Sequence, residues 1–117
     1  MVTALRTVRI VLATGLALAV VRPAAAQDAA KVKQGQQIYA AQKCQACHAI
    51  GGKGSKANPL DGIGAKLSAD EIRQWITDPK GMATKANSTK KPPMPAKYGS
   101  LSAGDLDSLV AYMQSLK

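Results

Sequence analysis

Five consecutive residues limit what this chain can fold into more than any other feature of its sequence. The segment Cys44-Gln45-Ala46-Cys47-His48 holds both cysteines and the only histidine of the 117-residue chain. C-x-x-C-H is the attachment pattern for c-type haem. Residues three apart share one helical face, so both sulfurs can reach the two vinyl groups along one porphyrin edge and form thioethers. His48 can then bind the iron. The sequence thus predicts one covalent haem c with its iron.

Three other interpretations of the cysteines stay open but fit the sequence less well. A thioredoxin-like redox dithiol needs a βαβ context, and the chain shows no strand pattern. A closed zinc site needs four ligands, whereas only Cys44, Cys47 and His48 are of the usual kind. A structural disulfide is geometrically poor at this spacing.

The first 26 residues have the features of a secretory signal peptide. Two arginines precede an almost wholly apolar run over residues 10–21, and the alanines at 24–26 provide small residues for cleavage. This run reaches only about 18 Å as a helix, which is short for a bilayer core of about 30 Å. We expect a signal peptide over residues 1–26, cleaved after Ala26, and one exported domain over residues 27–117. An uncleaved N-terminal anchor is the alternative.

Composition restricts the core of such a small domain. The chain has no Phe, one Trp and three Tyr, so Leu, Ile, Val, Ala and Met must fill most of the interior. Domains of this size are often marginal without help, and a porphyrin would supply the missing large, flat apolar group. We therefore expect the haem-free polypeptide to be largely unfolded.

The net charge of +9 bears on the choice of partners. An excess of Lys and Arg can favour nucleic acid, anionic lipid or an acidic protein. The lysines are scattered, without a dense Arg block or interleaved aromatic residues, and export argues against nucleic acid. A solvated basic surface and a docking surface for an acidic redox partner are both compatible with this pattern.

Three segments have helical signals. The first covers residues 28 to about 43. The second begins at Ser68, where Ser68 and Glu71 have the pattern of a capping box, and it ends at Asp78. The third covers residues 103–117 and repeats apolar residues at helical spacing.

The segments between the helices are typical of long loops. Residues 51–64 are rich in Gly, Lys, Asn and Pro. Residues 80–99 have little periodicity, and their three prolines forbid regular helix or central strand. No strand pattern of any length is present. The predicted fold class is all-α, with three main helices, one or two short turns, and long loops that need a centre to wrap around.

Taken in order along the chain, these features resemble the class I c-type cytochromes. The resemblance rests on the segment from Gly35 to Tyr39, the pentapeptide, a proline loop that holds Met94 and an amphipathic C-terminal helix. This family binds iron with the motif histidine and a methionine well downstream, and it transfers electrons through an exposed haem edge. The resemblance implies a cytochrome c-like fold around one covalent haem, and a carrier rather than an enzyme.

The residues themselves favour Met94 as the sixth iron ligand. A single histidine cannot supply both axial ligands, and the predicted domain holds three methionines. Met113 lies on the apolar stripe of the last helix and is expected in the core, whereas Met82 stands in a flexible stretch. Met94 lies between two prolines, which remove backbone freedom before folding. With His48 and Met94 bound, no open position remains for a substrate.

Other residues have expected places around the haem. The resemblance implies that Pro59 accepts a hydrogen bond from the ring nitrogen of His48 that does not bind iron, although the family usually has Gly where Asn58 stands. Trp75 would either donate to a propionate or serve as a core aromatic. Leu60 would pack on the ring. Tyr98, Lys90 and Lys91 lie near Met94 in sequence and would meet propionates or a partner, although solvated lysines are the simpler expectation. The resemblance also implies that the first and last helices cross at Gly35, Tyr39, Leu109 and Tyr112.

The function expected is that of a periplasmic one-electron carrier between a redox protein donor and acceptor. Neither nucleic acid nor a small-molecule substrate is expected, and membrane contact is expected only if the leader is retained. A catalytic haem protein would need an accessible iron position and distal acid–base groups, and a thiol–disulfide oxidoreductase would carry no haem. A free shuttle and a subunit of a larger enzyme are equally compatible with the sequence.

Overall fold

The computed structural model describes residues 24–117. Its helices are α1 Ala24–Ala41, α2 Ile63–Lys66, α3 Ala69–Thr77, α4 Pro79–Lys85 and α5 Ala103–Ser115. Two 3₁₀ turns lie at Cys44–Ala46 and Ala96–Ser100, and two-residue strands β1 Ala49–Ile50 and β2 Lys53–Gly54 form an antiparallel hairpin. The predicted all-α class is confirmed, and the three longest helices are those expected.

The N-terminal boundary differs from the prediction. Helix α1 begins at Ala24, before the expected start at residue 28. The apolar run assigned to the signal peptide lies outside the described residues. Within residues 24–117, no helix combines the length and the apolar character needed to cross a membrane.

Side chains cap the second and third long helices as the sequence predicts. Ser68 Oγ accepts from the Glu71 amide at 3.2 Å, and Glu71 Oε2 accepts from the Ser68 amide at 2.8 Å. These hydrogen bonds lower the pKa of the Glu71 carboxyl. Ser102 Oγ likewise accepts from the Asp105 amide at 3.1 Å. The caps satisfy amides that have no partner inside their helices, which fixes where α3 and α5 begin.

The prediction of an irregular segment over residues 80–99 is wrong for its first part, because α4 lies there. Asp78 ends α3 and also caps α4, since its Oδ1 accepts from the Gly81 amide at 3.0 Å. Pro79 stands in the first turn, where an amide would lack a helical partner anyway. The Asp-Pro pair that ends one helix therefore starts the next.

The expectation of no strand is wrong on a small scale, because β1 and β2 pair. Gly51 and Gly52 join them with φ values of 57° and 77°. Two-residue hairpin loops of this type need positive φ at both positions, which glycine adopts without strain. Asp61 Oδ1 accepts from the Gly51 amide at 2.8 Å and secures the turn.

The core forms where α1 and α5 cross. A Cβ at Gly35 would collide with the carbonyl oxygen of Ser108, so only glycine permits this approach of the two backbones. Beside it, the rings of Tyr39 and Tyr112 meet edge to face with centroids 5.7 Å apart. The crossing predicted from the sequence is confirmed. Its buried residues, together with those of α3, are Tyr39, Ile72, Ile76, Leu106, Leu109, Val110 and Met113.

Candidate cofactor site

The pentapeptide folds as a single tight turn directly after α1. Lys43, with φ 57° and ψ 37°, redirects the chain out of the helix. The amides of Cys47 and His48 then both donate to the Cys44 carbonyl oxygen, at 3.1 and 3.0 Å. This local hydrogen bonding keeps the two cysteines and the histidine on one turn, as thioether attachment at two points requires.

The two thiols differ in their surroundings. Cys44 is half-buried and Cys47 is exposed, and both are free cysteines. Burial raises the pKa of the Cys44 thiol, so this sulfur lies uncharged against the apolar interior. The exposed Cys47 belongs to the lining of the wider cleft described below.

The imidazole of His48 is oriented by a backbone carbonyl. Its Nδ1 lies 3.0 Å from the carbonyl oxygen of Asn58. With the proton on Nδ1 this is a donated hydrogen bond, and Nε2 is left as the nitrogen able to bind a metal. The expectation that Pro59 supplies this acceptor is wrong by one residue. Pro59 instead pairs with Ala49 in an isolated bridge, which holds the following chain against β1.

An apolar cavity of about 210 Å³ lies behind the pentapeptide. Cys44, His48 and Met94 line it together with the aromatic rings of Tyr39 and Trp75, and its exposed wall is apolar throughout. The aliphatic lining comes from Leu60, Ile63, Leu67, Ile72, Ile76 and Leu109. The buried core residue Met113 also reaches this wall, as its place on the apolar stripe of α5 predicts.

A wider cleft of about 940 Å³ shares part of that wall. Cys44, Cys47, His48 and Met94 all line it, so the structure brings the four residues predicted for haem attachment and iron ligation to one place. Met82, on α4, is half-buried and lines neither space. The remaining lining of the cleft includes Trp75 and Tyr98, the prolines at 92, 93 and 95, and the lysines at 43, 80, 90 and 91.

These residues fit a haem. The cleft has the volume typical of a cofactor site, the inner wall is apolar as a porphyrin requires, and an imidazole and a thioether line the same space. The competing interpretations fit less well. Among residues 24–117 no three His, Cys, Asp or Glu side chains converge as a metal cluster. The hairpin of β1 and β2 is the whole sheet of the described chain, which gives no βαβ unit for a thioredoxin-like dithiol.

Sequence reasoning missed two parts of this site. The first is Asn58, whose side-chain Nδ2 donates to the Cys47 carbonyl oxygen at 3.3 Å in addition to the backbone contact with His48. The second is α4, which lines the cleft with Lys80, Ala83 and Thr84. Lys80 lies three residues before Ala83 and four before Thr84, which is helical spacing. The segment is too short for this pattern to be recognised so close to the prolines at 92, 93 and 95.

Comparison with known proteins identifies the family of this chain. The family described as Cytochrome c matches residues 32–117. Over 93 residues the chain is 33% identical to "Cytochrome c oxidase subunit 2" of Alkalihalophilus pseudofirmus, a match that covers 72% of this chain and 25% of that protein. The chain thus spans about a quarter of that relative's length. No solved structure shows significant similarity. The chain belongs to the cytochrome c family, a family of electron-transfer domains that bind haem c covalently.

Proposed function

We propose that this protein carries one haem c, bound through thioethers to Cys44 and Cys47, with His48 and Met94 as the axial iron ligands. In this role it takes a single electron from one redox protein and passes it to another. The bound haem supplies the chemistry, because its iron gains and loses one electron. The polypeptide would hold the porphyrin ring, provide both protein ligands of the iron and form the apolar walls around the haem.

The observation that carries the proposal is the placement of the two ligand side chains. His48 and Met94 come from segments far apart in sequence, yet both line the inner cavity and the outer cleft. The imidazole is already engaged at Nδ1 by the Asn58 carbonyl, which supports Nε2 as the iron ligand. A thioether as the second ligand favours the reduced iron and raises the reduction potential.

The lining of the cleft supports a carrier that meets acidic protein partners. Four lysines lie at its walls, and no Asp or Glu belongs to either lining. A positive rim around an electron-transfer site steers partners of opposite charge and suppresses partners of like charge. The likeness to a cytochrome c oxidase subunit supports a redox protein as the partner rather than a small molecule.

The N-terminal sequence supports an exported location. We assign residues 1–26 as a signal peptide cleaved after Ala26 and residues 27–117 as the cytochrome c domain, which functions in the periplasm. Intact mass of the protein secreted by a host that attaches haem tests both parts. One haem added to a chain that begins at Gln27 is expected. A retained leader would contradict the cleavage, and an unmodified mass would contradict the haem assignment.

The decisive test of ligation is Met94→Ala. Without the thioether the iron loses its sixth ligand, so the reduced protein is expected to bind carbon monoxide, and its reduction potential is expected to fall by tens of millivolts or more. Optical titration and carbon monoxide difference spectra measure both. Met82→Ala is the matched control and should behave as the parent does. Parent-like behaviour of Met94→Ala, or carbon monoxide binding by the parent, would overturn the assignment.

A further inference from the structure

We propose that the side chain of Asn58 positions the iron-binding imidazole of His48. By its hydrogen bond to the haem-attachment turn, this side chain holds in place the Asn58 backbone carbonyl that His48 contacts. The inference rests on the proposed function, because it requires His48 to bind iron. Asn58 lines the wider cleft, and the inference assigns its side chain a role in holding His48.

Asn58 contacts the attachment segment at three points. Its carbonyl oxygen lies 3.0 Å from His48 Nδ1 and 3.4 Å from the Ala49 amide nitrogen. Its side-chain Nδ2 lies 3.3 Å from the Cys47 carbonyl oxygen. The two segments therefore exchange hydrogen bonds in both directions, with donors on His48 and Ala49 and an acceptor on Cys47.

The hydrogen bond from Asn58 Nδ2 to the Cys47 carbonyl oxygen is the side-chain contact that holds position 58 against the attachment turn. A residue without a donor at position 58 would keep its carbonyl, but that carbonyl would then be held only by the long bond from the Ala49 amide and by the pairing of Pro59 with Ala49, and its orientation toward the imidazole would loosen. Asn58 is half-buried, and its neighbour Ala57 is exposed, so little packing holds this stretch apart from hydrogen bonds. One further hydrogen bond holds this loop. Lys90 Nζ donates to the Ala57 carbonyl oxygen at 3.2 Å, which ties the loop to the segment that carries Met94.

The orientation of this carbonyl controls the iron through the imidazole. A hydrogen bond from the non-ligating nitrogen of a histidine fixes the ring and raises the basicity of the ligating nitrogen. A more basic ligand stabilises the oxidised iron. Loosening the Asn58 carbonyl should therefore make His48 a weaker donor and shift the reduction potential to more positive values.

The test uses the haem-loaded protein and two variants of Asn58. Asn58→Ala removes the side-chain donor, and Asn58→Asp keeps the shape but cannot donate as a carboxylate. In both, solvent exchange of the His48 Nδ1 proton in the reduced protein, followed by NMR, is expected to be about fivefold faster, as loss of one hydrogen bond of about 1 kcal/mol implies. The potential should become more positive in Asn58→Ala. In Asn58→Asp the added negative charge opposes that shift, so exchange is decisive there.

Gln45→Ala is the matched control. Gln45 is an exposed amide side chain on the same turn, and its removal should change neither the exchange rate nor the potential. Unchanged exchange in both Asn58 variants would overturn the proposal while leaving the proposed function intact. So would failure of both variants to acquire haem while Gln45→Ala acquires it, because a positioning contact does not decide maturation. A parent protein without covalent haem would instead refute the proposed function.

Discussion

The two faces of this molecule are held in place by different means. On the helical face, α1 and α5 cross with the Gly35 backbone against the Ser108 carbonyl, and most of the buried residues lie there or on α3. On the loop face, residues 42–62 and 86–101 surround the cleft, and Ala49 is their only fully buried residue. The helices pack on one another, whereas the loops face a space shaped for a cofactor.

This difference assigns separate tasks to the two faces. Close packing across a helix crossing is a property of the chain alone, since backbone and side chains fill the space. The loops are joined by a few polar contacts, such as His48 to Asn58 and Lys90 to Ala57. Their apolar residues, such as Ile50, Leu60 and Leu101, are only partly buried where they pack against the helical core. The haem should therefore complete the core on the loop face, and its removal should affect that face first.

Removal of the haem is the change with the largest expected effect. In Cys44→Ser/Cys47→Ser both thioethers are lost, and the apolar wall of the cleft is left facing water. A domain this small has little stability to spare. We expect most of the helical dichroism to disappear and the amides of residues 42–62 and 86–101 to exchange without protection. Far-ultraviolet dichroism and amide exchange of the variant and the haem-loaded parent measure this.

The same experiment tests the comparison of the two faces. Residual protection confined to α1 and α5 would support the difference between the two faces, because the helix crossing would then persist without the cofactor. A haem-free variant with native amide dispersion in the loops would contradict that difference, since the loops would then hold their positions unaided. Gln45→Ala, which retains both thioethers, serves as the control for a change in the same turn.

The helix crossing should respond strongly to one added methyl group. In Gly35→Ala the new Cβ meets backbone, the Ser108 carbonyl, which cannot move aside as a flexible side chain could. Overpacking of this kind costs about 3 kcal/mol. Denaturant unfolding of the haem-loaded protein should show this loss of unfolding free energy, with an unchanged slope.

Gly104→Ala is the matched control for the helix crossing. Gly104 lies in the first turn of α5, and nothing lies within 4 Å of a Cβ built there. Alanine should therefore be neutral or stabilise the protein by up to about 1 kcal/mol through its helix propensity. Equal destabilisation by both variants would show that the crossing is not the tightly packed part of the fold.

The helical face could be predicted from the sequence because its signals are local. Ser68 and Glu71, three residues apart, predict the start of α3 as a capping pair. Ser102 and Asp105 predict the start of α5 in the same way. The all-α class, the three main helices and the crossing at Gly35 follow from these signals and from the family resemblance. The errors at α4 and at the hairpin arise because two residue pairs are ambiguous. Asp-Pro can end one helix and begin the next, and Gly-Gly can belong to an irregular loop or to a tight hairpin turn.

The site was predictable only in part. The residue types and spacing of the pentapeptide indicate haem chemistry, and Met94 is singled out by its flanking prolines and by the places of the other methionines. The hydrogen-bond acceptor of His48 was expected at Pro59 and is found at Asn58. Which carbonyl faces the imidazole depends on how the loop turns at Asn58, and that is set by contacts with Cys47 and Ala49. No local pattern encodes such contacts.

The smallest expected effect concerns Tyr39, which belongs to both faces. It packs on Tyr112 and lines the inner cavity, and its buried hydroxyl has no hydrogen-bond partner in the described chain. An unsatisfied buried hydroxyl costs about 1 kcal/mol or more. Tyr39→Phe should therefore raise the unfolding free energy of the haem-loaded protein by about 1 kcal/mol at neutral pH, measured by denaturant unfolding.

The pH dependence of the same variant separates the two faces further. Burial is the main cause that raises the pKa of Tyr39 from 10.0 to about 12; the neighbouring Cys44 thiol is a smaller cause, and it is absent once Cys44 forms a thioether. The unfolded chain thus loses this proton at lower pH than the folded protein does. As far as Tyr39 is concerned, the unfolding free energy therefore does not change with pH below pH 10 and falls as the pH rises toward 12. In Tyr39→Phe this alkaline loss should be absent. If the variant is instead less stable at neutral pH, the phenol must have a hydrogen-bond partner in the haem-loaded protein, and the helix crossing and the cofactor cleft would be joined through Tyr39.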